Sequence, residues 1–194
     1  MKPSENSSRK EILNYTEKYP FSFLCEFSDK PWAQPYIDEV AKIYAKERPV
    51  AFLDNFSDKP WAQPYIDEAV KIYAKESPAD FLYYFSDKLW AQPYLDKAAN
   101  KLANKDPLNF LDYFSDKPWS QPYIDKAAKE VANNYPFIFL GQYLSKSWAK
   151  TYLELAAKEV AKRNPKFFLE HWADRFPHAI NLALFELGSE NVYR

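Results

Sequence analysis

A twelve-residue stretch, F-S-D-K-P-W-A-Q-P-Y-I-D, limits the fold more than any other feature of this chain, because it recurs at a period of 29 residues. It is read first at Phe27 to Asp38 and returns unchanged at Phe56 to Asp67. The copy at Phe85 to Asp96 carries two substitutions, the copy at Phe114 to Asp125 one, and a diverged copy fills Tyr143 to Glu154. A proline keeps the same beat at Pro20, Pro49, Pro78, Pro107, Pro136 and Pro165. A fixed period between about 20 and 50 residues marks an array in which each unit completes its neighbour's core.

The second copy shows why the unit is a helix pair. Pro49 suits the first helical position, where a missing N–H costs nothing. Val50, Phe52, Leu53 and Phe56 follow at helical spacing, and Trp61, Tyr65, Ile66, Ala69, Val70 and Tyr73 give a longer second helix a wide apolar stripe. A first helix of two turns is unstable alone and has to be held by packing. Asp29, Asp58, Asp87 and Asp116 stand where helix N-caps are expected. Pro64 leaves two readings: one second helix from Pro60 with an irregular first turn, which is preferred, or a helix capped by Gln63 after a D-K-P-W-A turn.

Ladders of identical residues then define the core. Phe23, Phe52, Phe81, Phe110, Phe139 and Phe168 form one; Leu24, Leu53, Leu82, Leu111, Leu140 and Leu169 form the next. Trp32, Trp61, Trp90, Trp119 and Trp148 form a third, and alanines at 45, 74, 103, 132 and 161 allow close backbone approach. With two glycines and no alternating β-branched runs, the fold class is all-α. The expected architecture is a right-handed α-solenoid of about six helix-turn-helix repeats, 20–48, 49–77, 78–106, 107–135, 136–164 and 165–187. Residues 1–7 are expected to fray. Ser8 and Glu11 open a degenerate capping helix within 1–19, and Gly188 is expected to stop the last helix ahead of a tail at 188–194.

The pattern Pro-x-x-Phe-Leu-x-x-Phe, then Asp-Lys-Pro-Trp and an alanine-rich second helix, runs from about Pro20 to Leu187. In this it resembles α-solenoids of the HEAT-like, two-helix kind, with a shorter period than the usual HEAT unit. That resemblance implies a scaffold of stacked helix pairs and extends to no particular partner.

Composition removes several function classes. A net charge of −1 supplies no field for a polyphosphate, so nucleic acid is disfavoured as a partner. No apolar run is long enough to span a membrane, and the N-terminus lacks the apolar core of a secretory signal, so a cytoplasmic location is expected. The single cysteine, Cys25, is read as a small buried residue. His171 and His178 are separated by Phe176-Pro177, which argues against a metal site with Glu170 and Asp174. No catalytic set and no phosphate-cradling loop is present, so neither an enzyme nor a cofactor is expected.

Two surfaces remain as candidates. Asp38, Asp67, Asp96, Asp125 and Glu154 place one acid per repeat on the second helix, where a solenoid presents a concave binding face to a protein or peptide. The competing reading pairs them with Lys42, Lys71, Lys129 and Lys158 four residues on, as a solvated face. A Gln34, Gln63, Gln92 and Gln121 ladder beside Tyr36, Tyr65, Tyr94 and Tyr123 invites a one-repeat-per-base RNA code, which the net charge weighs against. The other surface is the C-terminal end, where Ile180, Leu184, Phe185 and Leu187 make a helix apolar nearly all round and open to self-association or a partner. The function expected is a non-enzymatic helical-repeat scaffold. The alternatives are a nucleic-acid-binding repeat, favoured by the five cations and two acids of repeat five, and a passive spacer.

Overall fold

The structure, a computed structural model, describes residues 2–192, with side chains as far as Gly188. Thirteen α-helices lie among the described residues. The first is α1 (Arg9–Lys18), and six pairs follow: α2 (Pro20–Phe27) with α3 (Gln34–Glu47), α4 (Pro49–Phe56) with α5 (Gln63–Glu76), and α6 (Pro78–Phe85) with α7 (Gln92–Lys105). The remaining pairs are α8 (Pro107–Phe114) with α9 (Gln121–Asn134), α10 (Pro136–Tyr143) with α11 (Lys150–Arg163), and α12 (Pro165–His171) with α13 (Ile180–Val192). The chain divides into two compact units, Met1–Ala98 and Ala99–Arg194, with the boundary inside α7. In the first unit α3 packs on α2, α4 and α5; in the second, α9 packs on α8, α10 and α11. Long helices therefore pack on one another within each unit, and α4, α10 and α12 are each clamped between two of them.

Each helix starts for a local reason. Ser8 and Glu11 form a reciprocal capping box ahead of α1, satisfying donors that would otherwise be orphaned. The ladder prolines occupy the first position of the six short helices. Between helices of a pair lies a single 3₁₀ turn, Pro60–Ala62 in the second repeat, running straight into α5. Pro64 is then the second residue of α5, where its N–H would have had no intrahelical partner, so it does not kink the helix. The second helix thus has an irregular first turn. The aspartates do not cap it: Lys30, Lys59, Lys88 and Lys117 occupy the N-cap position of these turns in extended conformation, without a side-chain cap bond. Asp29, Asp58, Asp87 and Asp116 are exposed, and Asp116 instead pairs with Lys146 at 2.6 Å.

The phenylalanine ladder is the centre of the core, every member fully buried. The leucine ladder matches it from Leu24 to Leu140, while Leu169 is half-buried. All five tryptophans of the ladder are half-buried as well. Each leans on the last aromatic of its own short helix, Trp61 on Phe56 at 5.2 Å between ring centres and Trp148 on Tyr143 at 5.3 Å. The residue after the tryptophan is the one sealed in: Ala33, Ala62, Ala91, Ser120 and Ala149 have no exposed surface. Ser120 tolerates this because its hydroxyl donates to the Lys117 carbonyl at 2.7 Å.

Three further expectations are corrected. Cys25 is exposed, because Phe23 and Leu24 take the inward face of α2 and the neighbouring position points outward. The same column carries the exposed Asp54, Tyr83, Asp112, Gly141 and Glu170 in later copies. Residues 2–7 lie on the fold: Pro3 is buried and Lys2 pairs with Glu26 at 2.8 Å. Gly188 does not end the last helix, since α13 continues to Val192. Of the proposed tail, Tyr193 and Arg194 lie outside the described residues.

Candidate functional site

The acid ladder is built into the contacts between repeats. Tyr65 donates its hydroxyl to Asp38 Oδ1 at 2.8 Å, and Tyr94 donates to Asp67 Oδ1 at 2.7 Å. Tyr152 stands in the same relation to Asp125, 27 residues apart in sequence. Each of these bonds ties the first turn of one long helix to the preceding long helix. Burial, and then the bond to the aspartate, pushes the Tyr65 and Tyr94 hydroxyls up to about 12 from their ordinary 10.0. Tyr152 is raised for the same reasons in the same order. The neutral phenol is favoured because ionisation would set two anions side by side.

The expected pairing with lysines four residues on is therefore not the general rule. Among the described residues it survives at Glu154, whose Oε1 lies 3.9 Å from Lys158 Nζ. Asp38, Asp67 and Asp125 stay exposed, the first two with a carboxylate oriented by a tyrosine and open toward solvent. Asp96 is also exposed on α7.

The glutamine ladder has a structural task. Gln34, Gln63 and Gln92 donate through Nε2 to the carbonyls of Ser28, Ser57 and Ser86 at 2.6, 3.0 and 3.1 Å. Those carbonyls end the short helices and would otherwise lack a partner. An amide fixed in this way is not presented to a base edge.

Four of the five cations of repeat five are also engaged locally. Lys146 pairs with Asp116, Lys158 with Glu154, and Lys162 with Glu159 at 3.0 Å. Arg163 donates to the carbonyls of Asn133 and Asn134 at the end of α9, at 2.6 and 3.2 Å, and pairs with Glu159. It acts as a C-terminal cap, where a cation also meets the negative end of the helix dipole.

At the C-terminal end, Leu184 and Phe185 are 53% and 71% exposed, while Ile180 and Leu187 are half-buried and Ala183 is sealed. The helix thus buries one side and leaves Leu184 and Phe185 facing solvent. Elsewhere, Tyr143 replaces the phenylalanine of earlier copies, and its buried hydroxyl is satisfied by Asp112. His171 stacks on Phe167 with ring centres 4.2 Å apart and lies exposed on α12. Among the described residues no group of three or more His, Cys, Asp or Glu is placed to hold a metal ion, and no helix is long and apolar enough to cross a membrane.

The sequence did not announce a groove between α1 and α3, lined by Leu13, Tyr36, Val40 and Ile43 with Glu17, Glu39 and Glu47 around them. The signal was present in the offset itself: 27 residues before Tyr36 stands Arg9, not an aspartate. Comparison with protein-family models, with curated proteins and with solved structures finds no match to this chain.

Proposed function

We propose that the protein is a non-enzymatic helical-repeat scaffold that binds a protein or peptide along the face of its long helices. The observation that carries this reading is the exposed, tyrosine-oriented carboxylate repeated at Asp38 and Asp67, with the exposed Asp125 at the same position of a later repeat. Fixing an acceptor in place before binding lowers the ordering cost of a partner's N–H or ammonium group. Solenoid repeats use such regularly spaced groups to hold extended segments.

The test is a nuclease-treated pull-down comparing the wild type with Asp38→Asn/Asp67→Asn/Asp125→Asn. Asparagine keeps an acceptor for the tyrosine hydroxyl and removes the charge, so folding is spared. A protein retained by the wild type and released by the variant is the expected result. Equal retention by both removes the acid ladder from the reading.

A second reading places the interface at the C-terminal end, favoured by the exposure of Leu184 and Phe185. Under it, light scattering of the wild type shows concentration-dependent association that Leu184→Lys/Phe185→Glu abolishes. A monomer at all concentrations in both proteins counts against self-association there.

A further inference from the structure

We infer that the groove between α1 and α3 is a docking site for a basic amphipathic peptide segment, a deepening of the long-helix reading above. An aliphatic side chain of that segment lies on Leu13, Val40 and Ile43, and its lysine or arginine sits among Glu17, Glu39 and Glu47.

The groove exists because a tie between repeats is missing at this edge. Tyr65 and Tyr94 close their long helices onto Asp38 and Asp67. The corresponding partner of Tyr36 is Arg9, which has no acceptor to offer. Helix α1 is also shorter than α3, 10 residues against 14, and residues 5–8 do not supply the helical first turn that Gln34 to Ile37 supply in α3. The opening that results measures about 260 Å³. That is below the roughly 300–1,000 Å³ usual for small-molecule sites and suits one or two inserted side chains instead.

Its chemistry is unlike the next step of the array. At the positions equivalent to Leu13 and Glu17, the α3–α5 step carries Lys42 and Lys46. The first groove thus has an apolar floor and a carboxylate where the second carries two cations. Ile43 is 48% exposed on that floor, an aliphatic side chain left open to a partner. None of Glu17, Glu39 and Glu47 forms an ion pair among the described residues. An apolar strip flanked by unpaired acids complements a segment that carries lysines beside leucines, and repels an acidic one.

The experiment uses the full chain and a fluorescein-labelled helical peptide of leucine, alanine and lysine, read by fluorescence anisotropy. A twin peptide with glutamate in place of lysine is the control. The expected result is saturable binding of the lysine peptide alone, weakened by salt and weakened at least about tenfold by Glu17→Lys. Leu13→Lys is the second variant. Both substitutions only introduce residues the chain already carries at Lys46 and Lys42, and an unchanged circular dichroism melt confirms folding.

Equal binding of the two peptides, or binding indifferent to both variants, overturns the assignment. If binding survives Glu17→Lys but is lost in Asp38→Asn/Asp67→Asn, the groove is excluded and the long-helix reading stands. Absence of peptide binding overturns the groove, and a lysate partner still released by the asparagine variant keeps the broader reading alive. Concentration-dependent association abolished by Glu17→Lys gives the groove to a second copy of the chain and likewise overturns it.

Discussion

Single side chains in this protein do work that their position in the repeat multiplies. Phe52 is fully buried and touches Phe56 and Trp61, so Phe52→Ala is expected to cost about 3–5 kcal/mol in denaturant unfolding. Trp61 is only half-buried, and its buried indole Nε1 has no hydrogen-bond partner. Trp61→Ala should therefore cost less than Phe52→Ala, and Trp61→Phe should stay within about 1 kcal/mol of wild type, because it removes an unsatisfied donor along with some packing. A larger loss for Trp61→Phe would mean that indole area, not the phenylalanine ladder, dominates the unit. Sequence spacing placed tryptophan on the apolar stripe correctly. It could not tell a sealed position from a rim position, because both lie on one helical face and differ only in what packs over them.

At the scale of the element, the 3₁₀ turn between helices depends on a very small residue. Ala62 has no exposed surface, and the equivalent Ser120 fits by folding its hydroxyl back onto the Lys117 carbonyl. Ser120→Ala is accordingly expected to change stability by less than about 0.5 kcal/mol, since four other copies carry alanine there. Ala62→Val should destabilise by about 1–3 kcal/mol through overpacking, measured by thermal or urea unfolding. Near-equal melts for Ala62→Val and wild type would show that the turn has slack. The short helices illustrate the same dependence from the other side. Pro49 and its counterparts start them, but Gln34, Gln63 and Gln92 reach back from the following helix to satisfy their final carbonyls. That role was hidden in the sequence, where a glutamine ladder reads equally well as a recognition surface.

For the molecule as a whole, the tyrosine–aspartate ties make stability sensitive to high pH. Tyr65 and Tyr94 are raised to about 12 from 10.0 in the folded protein, so their contribution is complete below pH 10 and disappears as pH climbs toward 12. The melting temperature should fall across that window. In Tyr65→Phe/Tyr94→Phe the fall should be smaller, from a starting stability lower by about 0.5–1.5 kcal/mol per lost bond. An identical alkaline profile in the double variant would show that these tyrosines do not link the repeats energetically. Units that pack on their neighbours share such losses along the array, so the effect is expected in global unfolding and not only locally.

What the chain declares on its own is the period, the all-α class, the starts of the short helices and the inner ladders, because these follow from 3.6-residue spacing, proline geometry and the burial of large aromatics. Ser8 and Glu11 announced α1, and Pro49, Phe52 and Leu53 announced the short-helix unit, from local chemistry alone. The roles of polar surface residues were decided only by tertiary structure. Asp38 could have met Lys42 on its own helix, but packing brought Tyr65 to it from the next repeat. Asp58 could have capped a helix, but the 3₁₀ turn begins at Pro60, which puts Lys59 at the cap position instead. The groove beside Tyr36 belongs to the same class, since it is a space that the packing of α1 on α3 leaves open. A polar side chain has several partners of similar energy within reach, and the geometry of neighbouring helices selects among them.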